Sequence, residues 1–133
     1  MKAFNLFCSL LFVLYIPIYS QWTEIPIGTS ADIFDLHFIS INIGWVVGSN
    51  GTILKTSNGG ITWSVQQSNL SSNIYSVCFT DSLHGWVCGP DGNILKTTNG
   101  GENWIQKQSG VSENINSIFL KIKYQTNFKD LLK

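Results

Sequence analysis

The groups in this chain best suited to catalysis or metal binding are a few carboxylates, two histidines and two cysteines. Glycoside hydrolysis needs two carboxyl groups at a defined separation. Asp35, Asp81, Asp91 and Glu102 are available, but none stands in a distinctive motif, and solvated strand edges and turns account for all four. His37 follows Asp35 in an extended segment, and His84 precedes a Gly-Trp pair. Neither has Ser-His-Asp or metal-ligand spacing around it. Asp91-Gly92-Asn93 lacks the spaced acids and distal Glu of a calcium loop and reads as a tight turn. No catalytic residue, metal site or cofactor site is assigned. Cys78 and Cys88 fall on neighbouring extended segments. With Asp81 to Gly85 as the loop between them, Thr80 pairs with Trp86 and Cys78 comes opposite Cys88. A cross-strand disulfide is then geometrically allowed. Two free, half-buried thiols are the other reading, because His37 and Val47 stand at the matching positions 41 residues upstream.

Those positions belong to a repeat. Ile33–Asn73 and Ile74–Asn114 align without a gap and are identical at 19 of 41 positions. The shared skeleton is Gly-Trp-Val at Gly44 and Gly85, Gly-x-Ile-Leu-Lys-Thr at Gly51 and Gly92, and Asn-Gly-Gly-x-x-Trp at Asn58 and Asn99. Period-two alternation of Val, Ile, Phe and Trp predicts strands. In the second repeat these span Ile74–Thr80, Gly85–Gly89, Asn93–Thr97 and Asn103–Lys107. Asn50-Gly51 and Asp91-Gly92 have the chemistry of a hairpin turn with positive φ at both positions. Asn58-Gly59-Gly60 and Asn99-Gly100-Gly101 turn the third strand into the fourth. Four antiparallel strands per unit of about 40 residues is a β-propeller blade. The expected fold is therefore all-β, about two and a half blades of a larger ring.

Residues 1–20 read as a signal peptide. Lys2 precedes a 14-residue apolar run, Ala3–Ile16, that Pro17 breaks, with cleavage before Gln21. An uncleaved anchor is the alternative and the only membrane contact foreseen. Cys8 lies inside the run, not after it, which argues against lipid attachment. The propeller repeats occupy residues 21–120: residues 32–73 form repeat one, 74–114 repeat two, and 115–120 begin a third. Trp22 lies one period before Trp63, so Trp22–Ile25 reads as a lone fourth strand. At the other end the next Gly-Trp would fall at Thr126-Asn127, and the Lys-rich tail, residues 121–133, leaves the pattern. From Gln21 to Leu120, three lysines face seven acids, a net −4, and the whole chain has no arginine. Nucleic acid is excluded as a partner on that balance.

The segment Thr56-x-Asn58-x-Gly60-x-Thr62-Trp63 resembles the Asp-box, or BNR repeat, Ser/Thr-x-Asp-x-Gly-x-Thr-Trp. Thr97-x-Asn99-x-Gly101-x-Asn103-Trp104 is a second copy that departs at Asn103. Both carry Asn in place of Asp. With Gly44–Thr56, the chain is similar to the photosystem II stability/assembly factor family over about Trp22–Leu120. The resemblance implies a ring propeller, commonly seven-bladed, that engages a protein partner, with the boxes as structural turns on the blade periphery. The family's arginine-rich basic patch has no counterpart here. Sialidases share the box but grip substrate through arginines, which this chain lacks. Four of the five tryptophans recur at fixed repeat positions, Trp45 with Trp86 and Trp63 with Trp104, and Trp22 joins the latter series, so they read as inter-blade packing, not a sugar platform. Asn69-Leu70-Ser71 is a glycosylation sequon.

The function these features support is an exported, non-catalytic module for protein binding or scaffolding. Secreted, periplasmic and cell-surface placements all fit. Its partners would be a protein or further propeller blades, with self-association through open blade edges as another outlet. A fragment of a secreted Asp-box glycoside hydrolase and a non-functional truncated remnant are the alternatives.

Overall fold

The computed structural model describes residues 26–120. The signal segment, the strand expected at Trp22–Ile25 and the Lys-rich tail lie outside the described residues. Eight strands form two four-stranded antiparallel sheets, each in sequence order. Blade one holds β1 (Ile33–Phe38), β2 (Gly44–Gly48), β3 (Ile53–Thr56) and β4 (Ser64–Val65). Blade two holds β5 (Ser76–Phe79), β6 (Gly85–Cys88), β7 (Ile94–Thr97) and β8 (Ile105–Lys107). The chain is all-β, as its turn chemistry and alternation imply.

Each hairpin has a local cause. At the β2–β3 turn Asn50 and Gly51 have φ of 55° and 68°, and Thr52 N–H bonds Ser49 C=O at 3.1 Å. Asp91 and Gly92 repeat this at 55° and 66°, closed by Asn93 N–H on Pro90 C=O at 3.0 Å. Positive φ at both central positions matches the right-handed twist of the flanking strands. The Gly-Trp pairs have a different cause. A Cβ on Gly44 would stand 2.6 Å from the Phe38 ring, and one on Gly85 would stand 2.4 Å from the Phe79 ring. The glycine is the seat of an aromatic ring from the neighbouring strand.

The register corrects the cysteine expectation. Phe79, not Thr80, faces Gly85, so Cys78 pairs with Trp86, and Cys88 faces Ser76. The loop lies one residue earlier than expected, Thr80–His84 in place of Asp81–Gly85: Thr80 N–H bonds His84 C=O at 3.0 Å, which closes the turn before the ladder begins. Blade one does the same, with His37 opposite Trp45. Cys78 and Cys88 are diagonal neighbours, and both are free and buried.

The core lies between the two sheets. It gathers Trp45, Val47 and Ile53 from blade one with Ile74, Val77, Phe79, Val87, Leu95 and Trp104 from blade two. Burial of this face is what makes two blades one body. Beyond β8 no strand forms at 115–120, yet the repeat's bonding persists. Ile115 N–H bonds Gly89 C=O at 3.0 Å, as Ile74 N–H bonds Gly48 C=O at 3.0 Å.

Candidate functional site

The box turns are closed hydrogen-bond circuits. Thr56 Oγ1 accepts from the backbone N–H of Asn58 at 3.3 Å and of Gly60 at 2.9 Å, and donates to Asn58 Oδ1 at 3.0 Å. Asn58 Oδ1 also accepts from Thr62 N–H at 2.9 Å, and its amide donates to Thr62 Oγ1 at 2.8 Å. The amide thus does what a carboxylate could not: it donates across the turn. In the second box Thr97 Oγ1 makes the same three bonds, with Asn99 and Gly101, and Asn103 N–H bonds Asn99 Oδ1 at 3.0 Å. Thr56 and Thr97 are both buried. The hydroxyls of Thr56 and Thr97 and the side-chain carbonyls of Asn58 and Asn99 are spent on their own turns, which leaves these residues a structural part.

The second box has a further part that its sequence did not reveal. Trp45, fully buried, donates its indole N–H to Gly100 C=O at 3.2 Å, across the blade boundary. Its ring stacks on Phe79 with centroids 3.5 Å apart and planes at 9°, and Phe79 meets Trp104 edge-on at 5.9 Å. Lys55 Nζ sits 5.4 Å above the Trp45 ring, within cation–π reach. Box two is thus a wall of the inter-blade joint as well as a peripheral turn. The signal was present only as a pairing: a Gly-Trp in one repeat with an Asn-Gly-Gly in the next.

A second joint runs along the first strands. Asp35 Oδ2 accepts from Ser76 Oγ at 2.7 Å and from Val77 N–H at 3.0 Å. One period on, Ser76 Oγ accepts from Ile118 N–H at 3.3 Å. Asp35, Ser76 and Ser117 share one repeat position, so an acceptor there receives the next unit's backbone. This finding removes Asp35 from the pool of free carboxylates.

The other acids are scattered. Asp81, in the β5–β6 loop, and Glu102, in the β7–β8 turn, lie at one end of blade two, whereas Asp91 is in the β6–β7 turn at the opposite end. Among the described residues, no group of three or more His, Cys, Asp or Glu could hold a metal ion, and no helix is long and apolar enough to cross a membrane. Asp91 serves the turn described above. His37 is half-buried opposite Trp45. Asp81 and His84 do come together, at 2.9 Å on the surface.

Asp81 is held down to about 2 by the backbone N–H of Leu83, then that of His84, then the His84 ring. Bonds to the charged form favour it in the folded state. Its contribution to stability is therefore complete above the ordinary carboxylate range and is lost as pH falls through the folded value near 2. NMR titration of the Asp81 carboxyl is expected to show a midpoint well below the ordinary aspartate value. Asp81→Asn should flatten the acid limb of the unfolding curve between pH 4 and 2, and an unchanged limb would show that the bonds do not discriminate charge.

Burial raises the Cys88 thiol to about 11, with the Asp35 charge adding to the rise and a backbone bond from Ser76 opposing it. The thiolate is the reactive form. The native protein at pH 8 should therefore leave Cys88 unalkylated by iodoacetamide. Denaturation without reductant should expose both Cys78 and Cys88 to the reagent. Intact mass reads both results, and no uptake at either cysteine after denaturation would mean that they are bonded.

The family model described as Photosynthesis system II assembly factor YCF48 matches residues 16–71 and 62–129. The Photosystem II assembly protein Ycf48 of Thermosynechococcus vestitus (strain NIES-2133 / IAM M-273 / BP-1) is 44% identical over 45 residues, covering 34% of this chain and 13% of that protein. The chloroplastic photosystem II stability/assembly factor HCF136 of Cyanidioschyzon merolae (strain NIES-3377 / 10D) is 39% identical over 46 residues, 33% of this chain and 10% of that one. Two solved structures share the fold. YCF48 bound to D1 peptide aligns with a TM-score of 0.56 and 38% identity, over 62% of this chain and 28% of its own. YCF48 from Cyanidioschyzon merolae aligns at 0.56 with 32% identity, over 64% and 29%. The match spans less than a third of each solved relative, and the two sheets are propeller blades.

Proposed function

Because the chain belongs to the photosynthesis system II assembly factor YCF48 family, we propose that it is a non-catalytic propeller module that binds a protein partner. The observation that carries this reading is the likeness of its two blades, at 38% identity, to YCF48 bound to D1 peptide. The boxes support it, since the Thr56 and Thr97 hydroxyls and the Asn58 and Asn99 side-chain carbonyls are engaged within the turns. The scatter of Asp35, Asp81, Asp91 and Glu102 also favours binding over glycoside hydrolysis, which needs two converging carboxyls. Export across a membrane is part of the proposal and rests on the apolar run Ala3–Ile16. With no arginine in the chain, the partner segment is one that needs no guanidinium clamp.

The test is fluorescence anisotropy with the labelled D1 peptide of the solved complex and a scrambled control, beside a panel of chromogenic glycosides. Saturable binding of the D1 peptide alone, without glycoside turnover, is the expected result. Turnover abolished by Asp81→Asn or Asp91→Asn would replace the reading with a hydrolase. Equal binding of the scrambled peptide would remove the partner assignment.

A further inference from the structure

Three Asn-Gly pairs occur in this chain: Asn50-Gly51, Asn58-Gly59 and Asn99-Gly100. Asparagine before glycine is the pairing most open to loss of the side-chain amide. A glycine has no Cβ, so its backbone nitrogen can swing onto the preceding side-chain carbonyl. As sequence the three pairs are equivalent, and the fold separates them.

Asn58 and Asn99 are held at both reacting ends. Asn58 Oδ1 accepts from Thr56 Oγ1 at 3.0 Å and from Thr62 N–H at 2.9 Å, and its amide donates to Thr62 Oγ1 at 2.8 Å. Asn99 Oδ1 accepts from Thr97 Oγ1 at 2.9 Å and from Asn103 N–H at 3.0 Å. The attacking nitrogens are engaged as well, Gly59 N–H on Asn42 C=O at 2.9 Å and Gly100 N–H on Leu83 C=O at 2.8 Å. To turn either carbonyl onto the next nitrogen, the box must open.

Asn50 differs at each point. It is exposed in the β2–β3 turn. Among the described residues its side-chain amide makes no hydrogen bond, and its own N–H reaches Asn73 Oδ1 only at 3.4 Å. In the matching turn of blade two, Gly92 N–H bonds Glu113 C=O at 2.8 Å, whereas among the described residues Gly51 N–H has no such bond to Ser72. The exposure belongs to the turn and not to a blade's place in the array. Asn50 is exposed with blade two following it, and Asp91 is exposed with blade one preceding it.

We propose that Asn50 is a site of spontaneous deamidation in the folded protein, and that Asn58 and Asn99 are protected. Base removes the Gly51 N–H proton, and the nitrogen attacks the Asn50 side-chain carbonyl carbon. The bond from that carbon to the amide nitrogen breaks, and ammonia leaves after taking a proton from water. Water then opens the resulting succinimide at either carbonyl, giving aspartate or isoaspartate. The turn accepts the first product: Asp91 already stands there in blade two, at the same φ of 55° as Asn50. Isoaspartate adds a methylene to the main chain of a two-residue turn, where loop length sets strand register. The reaction does not depend on which partner the module binds.

The experiment incubates the purified full chain in mildly alkaline heavy-oxygen water, folded and in urea. Peptide mapping by mass spectrometry, with the aspartate and isoaspartate forms separated, follows all three pairs. In the folded chain the Asn50 peptide should convert to both forms, each with one heavy oxygen. Asn58 and Asn99 should convert at least about tenfold more slowly, because several hydrogen bonds must break first. Urea should erase the difference. Isoelectric focusing of the folded parent should show a first acidic band at the position of Asn50→Asp, and that variant should gain no further band over the same period. Asn58 or Asn99 converting as fast as Asn50 in the folded chain would overturn the proposal. So would conversion of Asn50 only in urea, the same order of rates in urea, or aspartate as the sole product.

Discussion

Trp45→Ala is expected to cost about 3–5 kcal/mol, the range for removing a buried large aromatic, while Trp86→Ala costs about 1 kcal/mol or less in the monomer. The two residues are the same letter in the same motif, 41 positions apart. Only Trp45 is enclosed: it stacks on Phe79, donates to Gly100 C=O and lies under Lys55. Its loss opens a cavity in the joint between the blades, because Phe79 is pinned between Gly85 and Trp104 and cannot collapse into the space. A domain of this size holds about 5–15 kcal/mol in total, so the variant is at the edge of unfolding. At about 4–8 °C per kcal/mol for a small domain, its melting temperature should fall by about 20 °C. Trp45→Phe keeps an aromatic ring for the stack and removes the N–H, and should lie between parent and Trp45→Ala. Thermal melts of the four proteins under conditions that keep them monomeric decide the matter. Equal losses for Trp45→Ala and Trp86→Ala would mean that the blade joint does not hold the fold together.

Thr56→Val and Thr97→Val should each destabilise by about 2–4 kcal/mol, since unsatisfied buried polar groups cost about 1–3 kcal/mol apiece. Valine preserves the volume of threonine but leaves the N–H groups of Asn58 and Gly60, or of Asn99 and Gly101, without their acceptor. It also takes the hydroxyl donor from Asn58 Oδ1 or Asn99 Oδ1. Thr97→Val should be the costlier of the two. The turn it holds carries the Gly100 carbonyl that accepts from Trp45, so slack there reaches the blade joint. Serine at either position retains the oxygen and should recover most of the loss. Thr62→Val is the contrast. Thr62 is exposed, and its hydroxyl only accepts from the Asn58 amide, which water can replace. Urea unfolding midpoints measure these differences, and a Thr56→Val midpoint no lower than that of Thr62→Val would show that the hydroxyl circuit carries no stability.

The comparison of these variants shows how much a sequence of this type reveals. Spacing alone was sufficient for the blades, since alternation, Asn-Gly and Asp-Gly turns and Asn-Gly-Gly-x-x-Trp boxes are local instructions. Each operates within a few residues: φ at Asn50 and Gly51, the Thr56 hydroxyl reaching Gly60, the Phe38 ring on Gly44. Local rules of that kind read the same in both repeats. They failed at Cys78 and Cys88, where moving the first pair of the ladder from Thr80–Trp86 to Phe79–Gly85 changed the register by two residues and set the expected partners apart. Register depends on where the β5–β6 loop closes, through Thr80 N–H on His84 C=O, and no residue type marks that bond.

What the tertiary structure alone decided is which copy of each repeated residue does what. Trp45 and Trp86, Val77 and Leu36, Phe79 and Phe38, Gly100 and Gly59 are indistinguishable or nearly so as sequence. They differ because one member of each pair lies in the joint and the other faces away from it. Asp35 likewise became an inter-blade acceptor only when Ser76 and Val77 were brought beside it. The sequence by itself determined the unit, because strand and turn energetics are short-ranged. Burial, and with it the division between core and exposed face among the described residues, belongs to the neighbour each blade meets, and a periodic sequence is blind to position within its own array.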